Sequence, residues 1–363
     1  MKSILPTWIG LPRFDLPLLA GLILLCGGGL FILYSASGEN IDTVYRQCVR
    51  LGLGFVAMLA LSQVPPYILR IWTPWLYALG IALLAATWFF GVGRSTQRWL
   101  DIGVIRFQPS EIMKLAVPMM VAWYLHDRRL PPGIKETVTS FLLLLAPAFL
   151  IVRQPDLGTA LLVIISGCFT LFLAGLHWRF LAVVGGLAVA SVPVLWFTMR
   201  DYQRNRVLTF LDPESDPLGT GWNIIQSKIA VGSGGLLGKG WQSGTQSHLE
   251  FIPERHTDFI LAVLSEEFGF LGVLALFGLY IFISGRALYI SSLTRDCYSR
   301  LLAGSLALTF TVYVVVNGGM VSGVLPVVGI PLPLISYGGT SIVTLLAGFG
   351  ILMSLYGHRN LIR

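Results

Sequence analysis

"LPLLAGLILLCGGGLFILYSASG", Leu16 to Gly38, runs for 23 residues without a charged side chain. A helix rises 1.5 Å per residue, so about 20 mostly apolar residues cross the ~30 Å hydrocarbon core of a bilayer. The stretch reads as a membrane span and, with no small-residue cleavage site after it, as an uncleaved one. Further apolar runs at roughly 48–65, 73–92, 109–126, 137–153, 157–176, 180–199, 258–284, 301–322 and 339–357 bring the expected number to ten. The fourth crosses only if its helix takes in Glu111 and Lys114. Composition points the same way: of 363 residues 55% are hydrophobic and 12% charged, and the mean hydropathy is +0.75. A soluble domain carries about twice that charge, which excludes a water-soluble enzyme, a disordered chain and a coiled coil. Four cysteines, two of them (Cys26 and Cys168) inside apolar runs, form no disulfide framework. The expected fold is an all-α polytopic membrane protein with one domain over 1–363.

The basic residues sit mostly between the apolar runs, so the net charge of +7 reads as anchoring at the membrane surface and not as nucleic-acid binding. With the N-terminus inside, twelve Lys and Arg fall on the inner side and six in short outer segments. That bias places both termini in the cytoplasm. The long connection between spans seven and eight, about residues 200–257, is then extracytoplasmic. It holds "GSGGLLGKG" at Gly232–Gly240, and Trp222, Ile225 and Ile229 recur in it at helical spacing, as in a short amphipathic helix.

Ionisable residues inside a membrane are expensive and are functional candidates by default. Glu111 and Lys114, three apart, share a helix face; they are an ion pair that packs span four, a polar pocket near the outer face, or both. Asp258 follows "FIPERHT". It is an acidic residue in a helix's first turn with Thr257 as N-cap, or a partly shielded base in a cluster with Glu254, Arg255 and His256. Glu266 and Glu267 are expected about 12 Å deeper on the same helix, for structural pairing or proton handling. Asp156 in "RQPDLGTA" reads as the N-cap of span six. From Leu301 to Gly357, 57 residues carry no charge, although two spans need only about 40. "VGIPLPLISYGGTS", Val328–Ser341, is therefore read as a re-entrant segment, buried or lining a cavity, that ends at a helix N-terminus with Thr340 and Ser341 as donors.

Spans four, six, eight and ten all run from outside to inside, so their N-termini share one face, each with a polar motif: "RFQPSEIMK", "RQPDLGTA", "PERHTDF" and "SYGGTS". Helix N-termini favour anions, and Arg98, Arg106, Lys114, Arg204, Arg206, Lys239 and Arg255 belong to the same half. The composite is an outward-facing site for an anionic, lipid-linked substrate. No HExxH, Walker A, GxSxG or metal-ligand spacing appears.

In order along residues 14–358, "RFQPSEIMKLAVP", "RQPDLGTALL", "YQRNRVLTFLDPESDPLGTGWNIIQSKIAVGSGGLLGKGW", "GTQSHLEFIPERHTDFILAVLSEEFG" and "GIPLPLISYGGTS" resemble the SEDS family of RodA, FtsW and SpoVE. "PERHTDF" and "VVGIPLPLISYGGTS" look more like RodA than FtsW. The resemblance implies ten helices in the bacterial cytoplasmic membrane and peptidoglycan glycosyltransferase activity on lipid II. It implies as partners a class B penicillin-binding protein transpeptidase and other membrane proteins of the elongation machinery that maintains rod shape. The family's essential acidic residue matches Asp258, and its helix-four Glu and Lys match Glu111 and Lys114. The candidate substrate-binding set is then Arg98, Gln108, Ser110, Glu111, Lys114, Asp156, Arg204, Arg206, Lys239, Arg255, His256 and Thr340. No resident cofactor is implied, although the diphosphate could bring Mg2+ or Mn2+. Asp258 is expected to act as general base for an inverting transfer. The rival is a flippase for the same lipid, since polar residues in a ten-helix bundle also suit transport; motifs at the outer helix ends rather than the midplane count against it. A scaffold that only recruits a transpeptidase would leave Glu111, Lys114 and Asp258 dispensable.

Overall fold

Asp15 opens the first helix: its carboxylate accepts from Leu18 N at 2.9 Å, and Pro17 stands in the first turn. The computed structural model describes residues 14–91, 98–101, 106–176, nine positions between 180 and 197, 201–215, 221–245 and 255–359. Among these residues the helices are α1 (Leu16–Ala36), α2 (Ile41–Ser62), α3 (Pro66–Phe90), α4 (Pro109–Leu125), α5 (Ile134–Arg153) and α6 (Leu157–Leu173). Then come α7 (Asp201–Leu211), α8 (Trp222–Ser233), α9 (Ile260–Leu293), α10 (Cys297–Val321) and α11 (Thr340–Gly357). Seven of them, α1, α2, α3, α5, α9, α10 and α11, are long and apolar enough to cross a membrane. α6 is apolar at 17 residues, and α4, also 17, does take in Glu111 and Lys114. The span expected at 180–199 lies largely outside the described residues.

α10 is mostly buried and packs against α4, α6, α9 and α11, as a helix apolar on most of its faces does. α2 and α11 approach so closely that a Cβ on Gly350 would stand 2.6 Å from Met58 O, the small-residue contact typical of membrane bundles. α1 and α9 are antiparallel. Ser35 Oγ donates to Glu267 Oε1 near one end, and Arg286 Nη2 donates to Asp15 Oδ2 at 2.7 Å near the other.

Three expectations change. α9 is two helices joined at Gly269, whose φ of 62° an L side chain rarely adopts. The break frees backbone groups, and the "GSGGLLGKG" turn takes them up. Lys239 N and Gly240 N donate to Glu266 O and Glu267 O at 3.0 Å, while Phe270 N and Leu271 N donate to Gly235 O and Leu236 O at 2.9 and 3.1 Å. Glu267 sits level with Ser35. Ile335, beside the Ser336 that binds Thr257, touches Gly29 instead, six residues or about 9 Å further along α1. Secondly, Asp258 precedes the helix in a turn, and Phe259, not Thr257, holds the cap position. Thirdly, α8 forms where expected but packs through Ile224, Ser227 and Ala230; Ile229 is exposed.

Candidate active site

α4 follows a two-residue hairpin, β1 (Leu100–Asp101) against β2 (Arg106–Phe107), that delivers Gln108 to the helix start. Pro109 at the first helical position has its φ preset and needs no donor, so Glu111 enters within the first turn. Glu111 and Lys114 are both buried, and Lys114 Nζ donates to Glu111 Oε1 at 2.6 Å. Thr344 Oγ1 of α11 donates to the other carboxylate oxygen at 3.0 Å. Lys114 Nζ also stands 5.1 Å from the ring centre of Tyr313 on α10, within cation–π range. The pair bridges three helices and lines a cleft whose walls are otherwise mostly apolar, with Leu115, Leu306, Phe310 and Phe349 among them. Ion pair and pocket are one feature.

Asp156 caps α6 as its spacing predicts, Oδ1 accepting from Thr159 N at 3.2 Å. The same carboxylate accepts from Gln108 Nε2 at 3.0 Å and lies 3.6 Å from Arg98 Nη1. Arg98 also donates to the carbonyls of Gln154 and Pro155. The cap therefore gathers two candidates from the segment before α4.

Asp258 lies in the turn Arg255–Phe259, tied by its backbone to the connection between α10 and α11. Tyr337 N donates to His256 O at 2.8 Å, Ser336 Oγ to Thr257 O at 2.5 Å, and Asn317 Nδ2 to Asp258 O at 2.9 Å. Gln47 of α2 braces this connection, donating to Ser336 O at 3.0 Å. The Tyr337 ring carries the Arg50 guanidinium at 4.4 Å and His256 edge-on at 5.9 Å. A Cβ on Gly329 would stand 3.6 Å from Asp258 Oδ2, so the carboxylate faces bare backbone. The re-entrant segment read from "VGIPLPLISYGGTS" is thus the floor under Asp258.

The three clusters meet. Tyr313, beneath Lys114, packs with Leu162 of α6 and with Ile330. Gly158, two residues past the Asp156 cap, abuts Val328 so closely that a Cβ would fall 2.6 Å from its side chain. Arg206 Nη1 approaches Val328 O at 3.4 Å. Other candidates are engaged elsewhere. Lys239 donates to Glu266 Oε1 at 2.7 Å and to Thr245 Oγ1 at 2.9 Å, at the α9 break. Arg204 donates to Trp196 O and Phe197 O, both at 2.9 Å. Arg255 Nη2 lies beside Gly38, Thr340 opens α11, and Ser110 Oγ is buried with no hydrogen-bond partner among the described residues. Glu254 falls outside the described residues. Among those described, no three His, Cys, Asp or Glu side chains could hold a metal ion.

A family model described as "Cell cycle protein", covering FtsW, RodA and SpoVE, matches residues 14–361. The chain belongs to this family. Among its FtsW/RodA/SpoVE relatives, the Escherichia coli K12 protein named peptidoglycan glycosyltransferase MrdB is 53% identical over 333 residues, 91% of this chain and 90% of its own. Treponema pallidum peptidoglycan glycosyltransferase RodA is 32% identical, across 95% of this chain and 98% of its own. Among solved structures, a chain from work on "structural coordination of polymerization and crosslinking by a peptidoglycan synthase complex" superposes with TM-score 0.83 at 35% identity, covering 96% of this chain and 99% of that one. The crystal structure of Thermus thermophilus RodA gives 0.74 at 29% identity, covering 98% and 99%.

In this FtsW/RodA/SpoVE member the sequence reading missed Asn317, Gln47, Tyr313 and Thr344, while Ser336 and Tyr337 stood in its polar motif "SYGGTS" without a role of their own. Asn317 had a signal: it is the one amide side chain in the 57 uncharged residues, and a polar group in a membrane helix bonds across helices. The Thr344 hydroxyl had none, since serine and threonine are common in such helices and bond locally.

Proposed function

We propose that this chain is a peptidoglycan glycosyltransferase that joins lipid II disaccharides into β-1,4 glycan strands for cell elongation and rod shape. Identity to the Escherichia coli enzyme over nine-tenths of both chains carries the assignment. The convergence of Glu111–Lys114, Asp156 and Asp258 supports it. Two lipid-linked disaccharides meet at the site. The acceptor's 4-hydroxyl attacks the anomeric carbon of the donor N-acetylmuramic acid, and Asp258 takes the hydroxyl proton as general base. The bond from the anomeric carbon to the diphosphate oxygen breaks, its electron pair leaves on undecaprenyl diphosphate, and the α-linkage inverts to β. Stabilising that leaving charge matters more than a general acid; Lys114, Arg98 and Arg206 are the candidates, and Mg2+ or Mn2+ would enter with the diphosphate.

The chain is further proposed to be one domain of ten spans in the bacterial inner membrane, with both termini cytoplasmic and the site facing outward. Twelve inner against six outer basic residues support that orientation. A class B penicillin-binding protein is the proposed transpeptidase partner, together with other membrane proteins of the elongation machinery; the structural neighbour from a peptidoglycan synthase complex supports this. The test is polymerisation of labelled lipid II by the purified chain plus its partner in a transpeptidation-dead form, wild type beside Asp258→Asn. Long strands from wild type alone are expected. No polymer from either, with the chain folded and the partner bound, would return the flippase to the lead.

A further inference from the structure

The carbonyls of His256, Thr257 and Asp258, three in succession, are each held from outside their own turn. Resting on the assignment of Asp258 as the base, we propose that Asn317 and Ser336 are positioning residues that fix the Asp258 carboxylate over Gly329 and set its distance from Lys114. Asn317 is fully buried, and its Nδ2 serves two carbonyls at once, Asp258 O at 2.9 Å and Ile330 O at 2.8 Å. Only the NH2 side of the amide can do this, which fixes its orientation. Its Oδ1 has no partner among the described residues. Burying that lone acceptor costs stability, so packing alone favours an aliphatic residue here; what the amide contributes is the double tether. Ser336 also works twice: Oγ donates to Thr257 O at 2.5 Å and accepts from Leu332 N at 2.8 Å.

Asn317 and Tyr313 are four apart on α10 and share a face. Tyr313 lies under Lys114 and Asn317 holds Asp258, so one buried helix face spaces the cation from the base. The turn 255–259 lies outside the helix, so the ladder of helical hydrogen bonds does not fix it and these ties hold three of its carbonyls. Misplacing a reacting group by about 1 Å costs on the order of 100-fold in rate.

The experiment compares Asn317→Asp and Ser336→Ala in the full chain bound to its transpeptidase partner. Asn317→Asp is nearly isosteric but turns a carboxylate onto two carbonyl oxygens. Ser305→Ala, about 18 Å away along α10, is the control: it removes a buried bond of the same kind, to Ser166 O at 2.7 Å. Both test variants should lose about 10- to 100-fold in kcat with KM for lipid II within about twofold, and Ser336→Thr should recover rate by restoring the hydroxyl. Ser305→Ala should lower the unfolding midpoint comparably and keep kcat. Added to Asp258→Asn, Asn317→Asp should lower the residual rate no further. Wild-type kcat in Asn317→Asp and Ser336→Ala, with Asp258→Asn inactive, overturns the positioning role alone. Wild-type kcat in Asp258→Asn overturns the base and the positioning together. Losses that track the midpoint equally in Ser305→Ala reduce the tether to ordinary packing. If Asn317→Asp does not fold, the Ser336 pair decides by the same criteria.

Discussion

Lys114→Met removes the ammonium 2.6 Å from Glu111 Oε1 while keeping an unbranched stem over Tyr313. At an effective dielectric of ~20, unit charges at that separation attract by about 6 kcal/mol, and the desolvation of two buried groups offsets part of it. The variant retains a buried carboxylate with Thr344 Oγ1 still donating to it. Breaking a buried pair costs about 3–5 kcal/mol; the surviving hydrogen bond sets the expected loss at the low end, about 3 kcal/mol. In Glu111→Gln/Lys114→Met the stranded charge is gone and a neutral amide can still bond Thr344, so stability should return to within about 1 kcal/mol of wild type. Polymerisation should stay low in both, because neither restores a cation to the cleft. Thermal unfolding followed by tryptophan fluorescence gives the first quantity and lipid II polymerisation the second. A double variant no more stable than Lys114→Met would refute the electrostatic account of the pair. A stable double variant that polymerises like wild type would confine the pair to packing.

Gly269→Ala would put a Cβ 2.3 Å from Gly238 N at a φ of 62°; folded yield should collapse, while Gly285→Ala, with open space around it, keeps its yield in size-exclusion profiles. Arg286→Ala strands the buried Asp15 carboxylate at the far end of the bundle; it should cost about 2–3 kcal/mol in unfolding and leave kcat unchanged. Chelation should slow polymerisation and added Mg2+ or Mn2+ restore it, without moving the unfolding midpoint of the substrate-free chain; a shifted midpoint would mean a metal held by the protein itself.

What was legible in the sequence was local. The Asp156 cap, the early start of α4 and the placing of Glu111 beside Lys114 each follow from residues within four positions of one another. The break at Gly269 was not legible, because phenylalanines flank it on both sides within one long apolar run and glycine is frequent in membrane helices. Its mark lay some thirty residues upstream, in a glycine-rich turn whose backbone satisfies the broken helix. Lys239 shows the same limit: its charge marked it as a candidate anion ligand, but its partner is Glu266, brought to it by that turn. Pairings between distant segments of irregular backbone have no period, so no pattern in the chain announces them.

That irregular backbone also bears on catalysis against transport. The turn 255–259 and the buried part of the connection, residues 330–336, meet in a bundle where unsatisfied carbonyls are expensive, and each answers the other. Freeing the turn from Tyr337, Ser336 and Asn317 forfeits three bonds. A transporter must move its binding segments past one another in every cycle, and ties at the substrate site itself oppose that motion. A polymerase that receives both lipids on one side has no such step, and it gains from donors and a base already in place when charge moves to the diphosphate. The cross-tied segments carry Asp258, the proposed base, and hold it at the cost of mobility, which favours a fixed site over a moving one.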